Sequence, residues 1–78
     1  MKEKRREAER ALPRLAEAVR RSREVAGFTQ EDVAYKAAIS VRHYQALESG
    51  RLNPSYLTLL TIAKALGTRL GDLINEVR

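Results

Sequence analysis

Apolar residues recur through most of this chain at steps of three and four, the period of a helix with one buried face. The sets are Leu15, Ala18, Val19, Ser22 and Ala26; Val33, Ala34 and Ala37; Ile39, Tyr44 and Leu47; Tyr56, Leu59, Leu60, Ile62, Ala63 and Leu66; and Leu70, Leu73, Ile74 and Val77. No segment alternates strictly, as a half-buried strand would. The pattern predicts an all-α domain of five short helices over residues 13–26, 30–37, 41–49, 55–66 and 70–77.

The residues between these sets fit the boundaries. Pro13 suits a first helical turn. Gly27 suits a left-handed helix end. Thr29 is an N-cap, with Asp32 three residues on completing a capping box. Ser40 can cap the third helix. The run Gly50-Arg51-Leu52-Asn53-Pro54 reads as a loop, and Gly67 closes the fourth helix. Residues 1–11 are almost all charged and carry no apolar stripe, so they are expected as a frayed helical extension or a mobile arm outside a domain of residues 12–78.

Seventy-eight residues make one small domain, and with 5% aromatics its core must be filled by Leu, Ile, Val and Ala. So small a core gives marginal stability, which dimerisation would help. The chain has no cysteine and one histidine, which excludes disulfides, thiolate metal sites and a histidine metal cluster. No cofactor is expected, and no small-molecule pocket is legible. The charged start argues against a secretory leader, and no apolar run approaches the roughly 20 residues that span a bilayer. The net charge of +5 favours a polyanionic partner, and its placement sharpens that reading: Arg14, Arg20, Arg21 and Arg23 crowd the first helix against Glu17 and Glu24.

Residues 29–50 concentrate the functional signal. Two short helices joined by a tight turn can lay the second helix in the DNA major groove. Ala34 permits a close crossing, and Ile39 fills the corner. The solvent side of the second helix of the pair carries Val41, Arg42, His43, Gln45, Ala46 and Ser49. Its only formal charge is one Arg, a composition suited to base edges.

From about residue 15 to residue 73 the chain resembles the helix-turn-helix domain of the phage lambda Cro and C1 repressors, the xenobiotic-response-element family. The resemblance rests on Gly27-Phe28-Thr29-Gln30-Glu31-Asp32-Val33-Ala34, Ile39-Ser40, Leu47-Glu48-Ser49-Gly50, Asn53-Pro54-Ser55, and the run from Leu59 to Gly67. The short format and the loop after Glu48 are also similar to the controller proteins of restriction–modification systems. The resemblance implies a lambda-repressor-like five-helix fold, double-stranded DNA as partner and a cytoplasmic protein of a bacterium or phage.

It also implies roles. Val41, Arg42 and Ala46 fall at base-reading positions. Gln30 would bond a phosphate and brace the start of the third helix. Ser40, His43 and Gln45 flank the reading positions, and Arg51 and Asn53 fall where the backbone is held. Arg23 and Glu48 fall where related repressors pair a buried Arg with a carboxylate. Two departures stand out: Ala38 holds a turn position usually given to Gly, and Tyr44 replaces a smaller Ile or Val.

The chemistry of these residue types agrees. An Arg at position 42 can bond guanine O6 and N7 together, while Val41 and Ala46 offer apolar contact to thymine methyls. His43 suits the DNA backbone, where protonation would add a cation; catalysis would require a second group poised beside it. Leu57, with Thr61 and Ala65, forms a weakly apolar outer strip, and Leu73 and Val77 add candidates for a homodimer surface. A two-fold dimer would read a pseudo-palindrome with half-sites about 34 Å apart or a multiple of that. The function expected is sequence-specific transcriptional regulation from an operator. The alternatives are an antitoxin or adaptor whose main partner is a protein, an RNA-binding module, and an enzyme, the last disfavoured by the absence of Cys and of a phosphate-binding Gly-rich loop.

Overall fold

A computed structural model describes the chain from Lys2 to Asn75, with side chains from Arg10 onward. Among the described residues the elements are α1 (Lys2–Ala26), α2 (Gln30–Ala37), α3 (Val41–Glu48), α4 (Tyr56–Leu66) and α5 (Leu70–Asn75). The all-α, five-helix architecture expected from the apolar periodicity is the one observed.

The helix boundaries follow local chemistry. Thr29, Ser40 and Ser55 sit in extended conformation, and each accepts a hydrogen bond through its side-chain oxygen from the backbone N–H three residues on. Thr29 and Asp32 form the full reciprocal box, which holds the Asp32 carboxyl below the usual range, first through the Thr29 backbone N–H. The first and fourth helices end at left-handed glycines, Gly27 and Gly67. The second ends at Ala38, which takes the same conformation with φ 58° and ψ 41°. The turn resembles that of a glycine, but a Cβ is present.

The core lies where α1, α2, α3 and α4 meet, closed at one side by α5. Val19, Val33, Tyr44, Leu47 and Ile62 are its fully buried large side chains. Alanines 18, 34, 37 and 63 fill the spaces between them and let the helix axes approach closely. Helix α2 packs on α3 and α4, while α1 packs on α3, α4 and α5.

Several details depart from the sequence reading. Helix α1 is longer than residues 13–26, so the boundary expected between residues 11 and 12 falls inside a continuous helix, and the extension takes the helical alternative. Pro13 sits within it rather than in its first turn, where it removes one N–H from the ladder. Its backbone lies close to Gly50, in the loop after α3. A Cβ on Gly50, at φ +77°, would lie 3.7 Å from Pro13 Cα and 3.9 Å from Ala16 Cβ. Ala16 is buried and Ala26 exposed, the reverse of the pattern expected for that helix. Tyr56, counted with the apolar face of α4, is 69% exposed because it opens the helix ahead of the core.

Candidate nucleic-acid interface

Helix α3 is fixed from beneath and open above. Tyr44 and Leu47 are sunk in the core, and Ile39 and Val41 pack against it. That anchoring leaves Arg42, His43, Gln45 and Ser49 exposed and Ala46 half-buried on the opposite side. Arg42 makes no hydrogen bond or ion pair among the described residues, so its guanidinium is available to a ligand. Val41 is half-buried, with part of its surface already committed to the core. Ala46 leaves a low surface between its larger exposed neighbours.

The Arg23–Glu48 pair suggested by family resemblance is formed. Arg23 Nε donates to Glu48 Oε2 at 2.8 Å and Nη2 to Oε1 at 2.9 Å. The third guanidinium nitrogen, Nη1, donates to the Phe28 carbonyl at 3.0 Å. The two side chains are only 15% and 5% exposed, so the bidentate pair ties α1, the α1–α2 turn and the end of α3 together in partial exclusion from water. Burial alone would raise the Glu48 carboxyl. Arg23 foremost, with Gln30, outweighs it and holds the group below the usual glutamate range. The hydrogen bond to Glu48, against the cost of burial, raises the Arg23 guanidinium further. The Tyr44 hydroxyl faces this pair from outside hydrogen-bonding geometry, so its oxygen is buried without a partner. Burial foremost drives that phenol well above the ordinary tyrosine range.

Gln30 is half-buried and doubly engaged. Its Nε2 donates to Glu48 Oε1 at 3.1 Å, and its Oε1 accepts from Gln45 Nε2 at 3.1 Å. It therefore braces the middle and end of α3, not the start as expected from sequence, and one of its side-chain N–H groups is left over. Ser40 spends its hydroxyl oxygen on the cap, accepting from the His43 N–H at 3.0 Å. Arg51 is steered back toward α3: its Nε donates to Ser49 Oγ at 3.0 Å, and Ser49 Oγ donates to the Ala46 carbonyl at 3.0 Å. Asn53 is exposed in the following loop. Ser49 as a bridge was not anticipated, although its bond to the Ala46 carbonyl has ordinary helical spacing; Gln30 as the partner of Gln45, 15 residues away, has no spacing signature.

Of the residues expected at a dimer surface, Leu57 is 69% exposed. Thr61 is half-buried and donates its hydroxyl to the Thr58 carbonyl. Leu73 is 2% exposed and belongs to the core, so it is withdrawn from that surface: the short α5 turns Leu73 inward and leaves Ile74 44% exposed. Val77 lies outside the described residues. Among the described residues no group of three His, Asp or Glu converges as a metal site would require, and no helix is long and apolar enough to cross a membrane.

A short, capped helix buried on one side, crossed by a second and presented to solvent on the other, defines a helix-turn-helix protein. Residues 14–77 match the model of a family described as a helix-turn-helix domain, and the chain belongs to that family, in its Cro/C1-type branch. It is 39% identical over 64 residues to the HTH-type transcriptional regulator DdrOP3 of Deinococcus deserti, a match spanning 82% of this chain and 50% of that protein. The chain thus covers half the length of that relative. It is 39% identical over 54 residues to y4dJ of Sinorhizobium fredii, an uncharacterized HTH-type transcriptional regulator, spanning 69% of this chain and 70% of that one.

Two solved structures share the fold. The clp gene regulator ClgR from Corynebacterium glutamicum superposes with a TM-score of 0.83 at 28% identity, over 86% of this chain and 71% of its own. The restriction-modification controller protein C.AhdI from Aeromonas hydrophila gives 0.78 at 26% identity, over 80% of this chain and 94% of its own.

Proposed function

We propose that this protein is a non-enzymatic transcription regulator that binds a specific DNA operator as a homodimer, with α3 in the major groove. The observation that carries the reading is the open side of α3: an unpaired Arg42 beside His43, Gln45 and the low Ala46, on a helix fastened through Tyr44, Leu47 and Glu48. The names of the relatives, all of them regulators or controllers, support the same reading. Arg42 reads guanine, Val41 and Ala46 pack on thymine methyls, and Gln30, His43, Arg51 and Asn53 hold the backbone. Leu57, close to the exposed Tyr56, gives the dimer its apolar contact, and two-fold symmetry sets half-sites one helical turn apart or a multiple of it.

Selection of bound duplexes from a random pool tests this, followed by salt-controlled titrations of wild type and Arg42→Ala. Arg42→Ala is expected to lower specific affinity by about 1–3 kcal/mol and non-specific affinity by much less. Equal losses on both duplexes would remove Arg42 from the bases. No enriched sequence at any salt would remove the operator itself and favour a protein partner.

A further inference from the structure

The outer side of α1, turned away from the core, carries an alternating row of charges. Arg14, Glu17, Arg21 and Glu24 follow one another at steps of three, four and three, so they share one exposed stripe. Glu17 Oε1 meets Arg20 Nη2 at 3.2 Å and Arg21 Nη2 at 3.4 Å, and its Oε2 makes no bond among the described residues. The side chains of Arg14 and Glu24 have no hydrogen bond or ion pair there either. Val25, beside the carboxyl end of the stripe, is 85% exposed. Along the rest of it runs a groove lined by Pro13, Arg14, Glu17, Ala18 and Arg21.

The order plus, minus, plus, minus selects the occupant. A nucleic acid or an acidic segment would meet Glu17 and Glu24 along with the two arginines. A second copy lying antiparallel meets the stripe in reverse. Arg14 then faces Glu24 and Glu17 faces Arg21, both pairs centred on the level of Val19, and two-fold symmetry makes each pair twice. In the same register Val25 of one copy falls at the level of Pro13 and Arg14 of the other, where the groove and the aliphatic stem of Arg14 cover it. A parallel copy would set each charge against its own kind. An antiparallel copy slipped by seven residues toward the amino end would set Arg10 against Arg21.

We propose that the outer side of α1 is a self-association surface that pairs two copies of this chain antiparallel, through Arg14 with Glu24 and Glu17 with Arg21. It is separate from Leu57 on α4 and from the open side of α3, and requires neither. Exposed ion pairs are individually weak and screened by salt. The contact therefore forms at high protein concentration and low ionic strength, in addition to any through Leu57.

Sedimentation of the full chain without DNA, over a concentration series at low and high salt, tests this. Wild type is compared with Arg14→Glu, Glu24→Arg, the double variant carrying both, and Leu57→Glu. Positions 14 and 24 are exposed, and circular dichroism checks that each variant folds. Wild type should show an association step that salt weakens. Each single reversal turns attraction into repulsion at two symmetry-related pairs and should weaken the step by roughly tenfold. The double variant should recover it, and Leu57→Glu should leave it in place. A wild type with no salt-sensitive step overturns the proposal, as does a step indifferent to both single reversals. A double variant as weak as the singles overturns the pairing, and loss of the step in Leu57→Glu would assign it to α4 instead.

Discussion

Ala38→Gly is expected to stabilise the protein, because Ala38 pays a conformational cost that its glycine counterparts avoid. Four helix ends share one pattern of bonds, with Gly50 and Arg51 closing α3 onto Leu47 and Ala46 as the residues at Gly27, Ala38 and Gly67 close the other three. The Ala38 N–H donates to the Tyr35 carbonyl at 3.1 Å and the Ile39 N–H to the Ala34 carbonyl at 3.0 Å. Gly27 and Phe28 close α1 in the same way onto Glu24 and Arg23, and Gly67 and Thr68 close α4 onto Lys64 and Ala63. The bonds are all backbone, so none is lost when Ala38 becomes Gly. Its methyl is exposed, so no core packing is lost either.

Two opposing effects then decide the sign. A left-handed residue with a Cβ costs roughly 1–2 kcal/mol. Glycine costs about 0.4–1 kcal/mol through the freer unfolded chain. The difference favours the variant by about 0.5–1 kcal/mol, which for a domain of this size raises Tm by about 2–8 °C. Thermal melting followed by circular dichroism, at one fixed protein concentration so that association does not enter, reads it directly. Gly27→Ala is the internal control. Nothing lies within 4 Å of an added Cβ there and φ is +76°, so the same two effects act with reversed sign and Tm should fall. An Ala38→Gly variant that melts at or below wild type, beside a Gly27→Ala variant that melts lower, would refute the strain account of this turn.

Three further outcomes are expected. Glu48→Gln should lower stability by about 1.5–3 kcal/mol at neutral pH, since it removes a charged acceptor from Arg23. The folded Glu48 carboxyl lies below its unfolded value of about 4.3, so its contribution is full above that pH and is lost as pH falls through the folded value. Urea curves for wild type and variant should therefore converge in acid, and a constant gap down to pH 3 would contradict the pairing. Tyr44→Phe should leave the fold intact and raise stability by about 1 kcal/mol, because it removes a buried hydroxyl without a partner; a loss in chemical denaturation would show that the phenol bonds Glu48 in solution. Leu57→Glu should shift the protein toward monomer in analytical ultracentrifugation and weaken operator binding while leaving the melting of the monomer unchanged. An unaltered dimer would place the two-fold surface elsewhere.

The elements were legible because their signals are local. A capping Ser or Thr, an apolar face and a closing Gly all lie within a few residues of one another, and α2, α3 and α4 emerged within one residue of expectation. The start of α1 was not legible: the charged run favours helix by propensity while Pro13 argues for a boundary, and the helix runs through Pro13 with one N–H fewer in its ladder. Nor could sequence separate Leu73 from Ile74. Neighbouring residues on a six-residue helix differ by about 100° in direction, and the tilt of α5 on α1 decides which is buried. The Arg23–Glu48 pair, 25 residues apart, came from family resemblance, since no spacing rule links two such positions. The bond from Gln45 to Gln30 crosses the turn over 15 residues and leaves no trace in composition or period.

The carboxylate of Glu48 concentrates two consequences in one group. It receives Arg23 from α1 and Gln30 from α2 while standing on α3, so the angle of α3 and the polarity of Gln30 answer to the same pair of oxygens. An apolar side chain there could pack three helices together but could not tell an amide which end to present. A buried ion pair is a weak source of net stability, and Tyr44 bears the cost of its neighbourhood in an unpartnered hydroxyl. What the pair supplies is orientation. Arg42 projects from α3 with no link to this network, so its substitution should alter recognition without altering the fold. Gln30 is linked at both ends, and a change there reaches Gln45 without reaching the core. Substitution of Glu48 disturbs both, which makes it the position where stability and sequence preference should change together.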